Sequence, residues 1–149
     1  MPGRGDERAT CTFCRIIDGA LEADVVLDEP HAVGFLDHRP LFPGHVLVTP
    51  REHVVTLPEL AGELVGPFFE TVQRVARALP EAMEAEGTFV SINNVVSQSV
   101  PHLHVHVVPR TKGDGLRGFF WPRHPYDDAD HQQRVAERIR QTLSSEASR

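Results

Sequence analysis

The chain has 149 residues, 40% of them hydrophobic, and a formal net charge of −6. That apolar fraction suffices for the core of one domain and excludes a disordered chain. The acidic balance argues against a general nucleic-acid binder, whose affinity rests on many Lys and Arg contacts to phosphate, but leaves room for a small anionic substrate. No stretch is apolar enough to span a bilayer, and the polar residues 1–8 lack the core of a secretory signal, so a cytoplasmic protein with no membrane partner is expected.

In chain order, residues 1–10 read as a flexible leader, 11–110 as one domain, and 111–149 as an extension packed on that domain. Val25-Val26-Leu27, Ala32–Leu36 and His45–Thr49 are short apolar runs divided by turn residues, which predicts three antiparallel strands. Thr56-Leu57-Pro58-Glu59 has the Ser/Thr-x-x-Glu pattern of a helix start. From there Leu60, Leu64, Phe68, Val72, Val75 and Leu79 recur at helical spacing. Gly66-Pro67 is expected to kink or split this helix, and Pro80 and Gly87 to bound its end. Phe89–Ile92 and Val100–Val108 make a fourth and a fifth strand. Gly113-Asp114-Gly115 marks a turn, Phe119-Phe120-Trp121 is an aromatic cluster, and a last helix is expected from about Asp130 to Leu143, with Val135, Ile139 and Leu143 on one face. Strands and helices together read as α+β.

The run His102-Leu103-His104-Val105-His106 carries the chemistry. Side chains alternate along a strand, so the three imidazoles share one face while Leu103, Val105 and Val107 fill the other. Buried rings without function would each need a hydrogen-bond partner. Two readings remain: a metal site, since imidazole is a common ligand, and nucleophilic attack on phosphorus by neutral imidazole. The neighbourhood favours the second. Gln98 and Ser99 can donate to phosphate oxygens, His45 follows Pro43-Gly44 at a strand start, and Asp37 ends an apolar strand where a carboxylate could hold a ribose. Cys11 and Cys14, three apart, point to metal or redox chemistry in a reducing compartment, and otherwise to two buried free thiols.

Phe35-Leu36-Asp37, Pro43–Pro50 and Gln98–Val108 resemble the histidine triad (HIT) family, whose His-φ-His-φ-His-φ-φ signature, φ being apolar, is matched at every position. The resemblance runs from Cys11 to about Arg110. It implies a HIT-like fold, with a five-stranded antiparallel sheet, one long helix and a C-terminal helix. It implies that His104 attacks the α-phosphorus of a purine nucleotide conjugate, a dinucleoside polyphosphate or a nucleoside phosphoramidate. Water then releases a nucleoside monophosphate from nucleotidyl-His104. His102, His106 and His45 belong to the supporting network. Gln98 and Ser99 match contacts to the α-phosphate or leaving group, Asn93 a further substrate contact, Asp37 the ribose-binding acid, and Phe13, Ile16 and His38 the surroundings of the base. Related uridylyltransferases carry Gln at the third triad position, so His106 favours the hydrolase branches. Many members have a glycine-rich stretch between the Asn pair and the Gln, whereas Val95-Val96-Ser97 is shorter and has no glycine.

Several bacterial members pair such cysteines with the histidine of Pro-x-x-His and the first triad histidine. The matching set is Cys11, Cys14, His53 and His102, a closed structural zinc site. The resemblance implies no organic cofactor, a nucleotide as partner rather than a nucleic-acid polymer, and a homodimer. Three alternatives remain open. They are a nucleotide-binding regulatory protein with incidental catalysis, a phosphorolytic nucleotidyltransferase, and a metal protein that uses all three triad histidines as ligands.

Overall fold

The computed structural model describes residues 4–116 and 122–147. The chain divides into two compact units, Met1–Asp114 and Gly115–Arg149. The first holds α1 (Arg4–Thr10), α2 (Thr12–Ile17), β1 (Val25–Asp28), β2 (Ala32–Leu36), β3 (Val46–Pro50), a 3-10 turn at Leu57–Glu59, α3 (Gly62–Ala82), β4 (Gly87–Ser91) and β5 (Val105–Arg110). The second holds α4 (Ala129–Ala147). The aromatic cluster Phe119-Phe120-Trp121 lies outside the described residues.

The five strands form one antiparallel sheet in the order β1-β2-β3-β5-β4. Alternation along the central strands sends neighbours to opposite faces. Ala32, Val46, Val48, Leu103, Val105 and Val107 pack with Phe68, Val72, Val75 and Leu79 of α3. Val33, Phe35 and Leu47 pack on the other face with Cys11, Phe13 and Cys14 around α2. Both faces of β3 are therefore covered, which is why its run reads as continuously apolar. Burying a ring such as Phe68 contributes about 2–3 kcal/mol relative to leaving it in water.

Four local expectations change. The segment read as a flexible leader is helical from Arg4 to Thr10, and Arg8 ties it down by an ion pair to Asp18 (2.8 Å) and a bond to the Arg51 carbonyl (3.3 Å). The long helix begins at Gly62, because Thr56 donates to the Glu59 carboxylate and Leu57–Glu59 closes a separate 3-10 turn. It is not split at Pro67 and passes Pro80 by two residues. Each proline removes one backbone bond, but the stripe from Phe68 to Leu79 is buried over three turns, and that packing outweighs the loss. The fifth strand begins at Val105 rather than Val100, because the Leu103 N–H pairs with the Val54 carbonyl (2.7 Å), outside the ladder.

The last helix forms as expected, extended to Ala147, but Ile139 on its apolar face is 55% exposed. The glycine-free stretch adopts left-handed backbone at Val95 (φ 69°) and Ser97 (φ 62°). A β-branched residue seldom adopts that conformation, and Val95 is 75% exposed, so no burial of its own side chain offsets the strain.

Candidate active site and metal centre

β3 and β5 set the geometry. Leu47 pairs with His106, so His45, two residues earlier and on the same face, is its diagonal neighbour. Gly44 precedes it with φ 93°, a conformation that favours glycine and aims His45 inward. A cleft of about 610 Å³ opens on this face. Its walls include Phe13, Ile16, Asp37, His38, Ser99, His104 and His106, together with Leu21–Asp24, Phe35, Leu47 and Val100. Seven of the residues expected at the site therefore share one cavity. Gln98 and Asn93 are not among the lining residues. The tight loop folds Gln98 back: its amide donates to the Val55 carbonyl (2.6 Å) and accepts from the Val95 N–H (3.0 Å). His38 sits at the rim with its side chain almost wholly exposed.

Main-chain partners determine which ring nitrogen of each histidine carries the proton. His104 Nδ1 lies 2.8 Å from the His102 carbonyl. A carbonyl only accepts, so Nδ1 is protonated and Nε2 keeps its lone pair. His102 is the reverse: its Nε2–H donates to the Pro50 carbonyl (2.9 Å), which leaves Nδ1 as the free donor atom. The Leu41 N–H donates to His45 Nδ1 (3.1 Å), so His45 Nε2 carries hydrogen and donates to His106 Nδ1 (3.0 Å). The remaining proton of His106 is then on Nε2.

Burial lowers the pKa of all four rings, to about 4 for His102 and His106, so they are neutral at pH 7. At His106 the neighbouring His104 and His45 add to the effect. Between 6.5 and about 4 the unfolded chain binds protons that the folded rings refuse. Stability should therefore fall as pH drops through that window and level off below it. Denaturant midpoints against pH would show this slope, and His106→Gln should flatten it; an unchanged slope would contradict neutral burial of the pair.

Behind His104 the N-terminal segment meets the end of β3. Cys11, Cys14, His53 and His102 place their ligand atoms within 4.8 Å of one another. His102 Nδ1 is 3.5 Å from each sulfur, and His53 Nδ1 is 3.3 Å from Cys14 Sγ. A tetrahedral zinc with bonds of about 2.3 Å to sulfur and 2.0–2.1 Å to nitrogen separates S from N by about 3.5 Å. The residues therefore fit that ion, and the tautomer of His102 already presents the right nitrogen. Burial, with the Cys11 thiol alongside, pushes Cys14 up to about 12, so a cation is what would make the pair thiolate.

Asp37, His45 and His106 also converge. There the proton on His45 Nε2, required by the Leu41 N–H on the other ring nitrogen, occupies the position a metal would need. That trio is a hydrogen-bonded pair beside a carboxylate, with Asp37 Oδ2 3.8 Å from His45 Nε2. The same geometry counts against a single metal on all three triad histidines, since His102 turns away from His104 and His106.

The groups that sequence reading missed are main-chain atoms: the carbonyls of Pro50 and His102 and the N–H of Leu41. No residue type announces them. The Leu21–Asp24 wall also carried no motif.

Comparison with known proteins agrees with this layout. The HIT domain model matches residues 18–113. "Protein hit" of Bacillus subtilis is 35% identical over 139 residues, covering 91% of this chain and 95% of that protein. Adenosine 5'-monophosphoramidase hnt1 of Schizosaccharomyces pombe is 28% identical, covering 78% of this chain and 86% of that protein. A zinc-bound histidine triad family protein from Mycobacterium smegmatis superposes with a TM-score of 0.70 at 33% identity, covering 93% of this chain and 99% of that one. No helix among the described residues is long and apolar enough to cross a membrane. The five-stranded sheet, the histidine run beside β3 and the matched span lead to one assignment: the chain belongs to the HIT domain family.

Proposed function

We propose that this protein hydrolyses a purine nucleotide conjugate at its α-phosphate through a nucleotidyl-His104 intermediate, with a structural zinc at Cys11, Cys14, His53 and His102. One observation carries the reading: the His102 carbonyl holds the Nδ1 proton of His104, so that Nε2 keeps a lone pair in a cleft shared with Asp37 and Ser99. Attack by Nε2 forms an N–P bond as the bond to the leaving group breaks. Nε2–H of His106 is the nearby donor for the phosphoryl oxygens or the departing group. Water then attacks phosphorus, His104 departs as neutral imidazole, and a nucleoside monophosphate leaves. Asp37 accepts from the ribose hydroxyls. Cys11, Cys14, His53 and His102 would hold zinc in a closed site, where the metal would supply a cross-link rather than chemistry.

The phosphoramidase among the relatives supports cleavage of a P–N bond. The test is a quenched reaction with adenosine phosphoramidate, diadenosine tetraphosphate and their guanosine counterparts. An acid-labile nucleotidyl group on the peptide containing His104, with release of the monophosphate, is expected. Nucleotide binding with no release from any of the four would overturn hydrolysis in favour of a regulatory role.

A further inference from the structure

The ring of His104 is held by more than its hydrogen bond. Phe13 meets it edge to face, with centroids 5.0 Å apart and planes at 87°. His106 contacts it at 5.0 Å and 67°. Phe13 is itself wedged against Phe35 at 5.2 Å. Only 6% of Phe13 is exposed, so although its edge reaches the cleft, most of its surface faces protein rather than a ligand. One hydrogen bond at Nδ1 leaves an imidazole free to rock; a ring packed at right angles removes that freedom.

What holds Phe13 is equally plain. α2 has six residues, too few to persist in water on its own. Its second residue is Phe13 and its third is Cys14, which is fully buried against His102 and His53. Cys11 caps the same helix through a bond from the Cys14 N–H to its sulfur (3.5 Å). Both thiols and Phe13 precede residue 18, where the matched family span begins. Phe13 and the two thiols therefore lie outside that span, while His53, His102 and His104 lie within it.

We propose that Phe13 is a positioning residue for the nucleophilic ring of His104, and that the thiol–imidazole centre on α2 keeps Phe13 in place. The inference rests on His104 being the nucleophile. Phe13 then acts on the rate of attack and not on affinity. Loss of the metal centre reaches the nucleophile through α2 and Phe13, in addition to the His102 carbonyl that holds the Nδ1 proton of His104, without a ligand of the metal touching substrate.

The test uses the full-length zinc-loaded chain, adenosine phosphoramidate as substrate, and ¹⁵N spectra of the histidine rings. Phe13→Leu should lower kcat about tenfold with KM within about twofold. It should also turn the single Nδ1–H signature of His104 into an averaged one, with zinc content unchanged. Phe13→Tyr, which keeps the ring, should restore both. Cys14→Ser, or zinc withdrawn from the wild-type chain by a chelator, should give the same change in the His104 spectrum. A raised KM with intact kcat in Phe13→Leu would make Phe13 a substrate contact only and overturn the proposal, as would an unaltered His104 spectrum. Should Phe13→Leu not fold, Phe13→Met, which keeps most of the volume without a ring, takes its place with the same expected and overturning outcomes. An unaltered His104 spectrum after zinc withdrawal would overturn the coupling. Turnover surviving in His104→Ala would instead sink the nucleophile assignment, and the spectra would still answer for Phe13.

Discussion

His104→Ala is expected to lower turnover of any nucleotide conjugate by roughly 10⁴-fold or more, about 5 kcal/mol of barrier, while nucleotide affinity changes by less than about threefold. The asymmetry follows from where His104 sits. The ring is buried in the wall of the cleft, in contact with the rings of both Phe13 and His106. The groups that would hold the ribose and phosphate, Asp37 and Ser99, belong to other segments and keep their places. Removing the imidazole removes the covalent route and leaves the walls standing. The His102 carbonyl loses its donor, which costs about 1 kcal/mol of stability. Steady-state kinetics beside equilibrium binding of a nucleoside monophosphate measure both quantities. A loss confined to KM would mean that His104 binds the substrate and does not attack it.

Withdrawal of the zinc proposed at Cys11, Cys14, His53 and His102 carries the second large effect. An ion that binds only the folded chain stabilises it by about 4 kcal/mol when free metal is a thousandfold above its Kd. For a chain of this length that corresponds to roughly 8–16 °C in Tm. The loss should be local in origin. The core between α3 and the sheet contains none of the four ligands, whereas the smaller cluster on the opposite face includes both thiols. Metal-free protein should therefore keep its long helix and most of its sheet while amide exchange rises over α1 and α2. Dialysis against EDTA, metal analysis, thermal melts and hydrogen exchange test this directly, with Cys14→Ser as the genetic counterpart. Absence of retained zinc before chelation, together with an unchanged melt for Cys14→Ser, would leave the four residues as a buried thiol–imidazole cluster.

Much of the site was legible in the linear sequence, for identifiable reasons. The strands announced themselves because alternation and turn residues are local. β2 falls at Ala32–Leu36 as expected, and Leu103, Val105 and Val107 face α3 as the two-residue period requires. The pairing of Cys11 and Cys14 with His53 and His102 came from residue types at a family spacing, and the structure gathers those four atoms. The roles assigned to Gln98 and Asn93 came from a motif whose flanking loop is altered here. Three residues, Val95-Val96-Ser97, replace the glycine-rich stretch, and the left-handed turn they make folds the Gln98 amide onto its own loop and onto Val55. Proline at 67 and 80 was a local signal that buried packing overrode.

The division at the histidine run is sharper. The sequence by itself determined that three imidazoles stand at alternate positions beside an apolar strand, because residue type and spacing are local properties. It also read them as one face with two competing chemistries. The family resemblance already gave His102 and His104 different expected roles; tertiary structure alone decided which neighbour each ring nitrogen faces. His102 hydrogen-bonds Pro50, 52 positions away, and turns Nδ1 toward the cysteines. His45 comes from 61 positions away to orient His106. His104 takes its proton partner from the backbone of His102. A tautomer depends on which carbonyl or N–H reaches the ring. Two of these partners are brought in by chain folding from distant segments, and the third is a backbone carbonyl that no residue type marks.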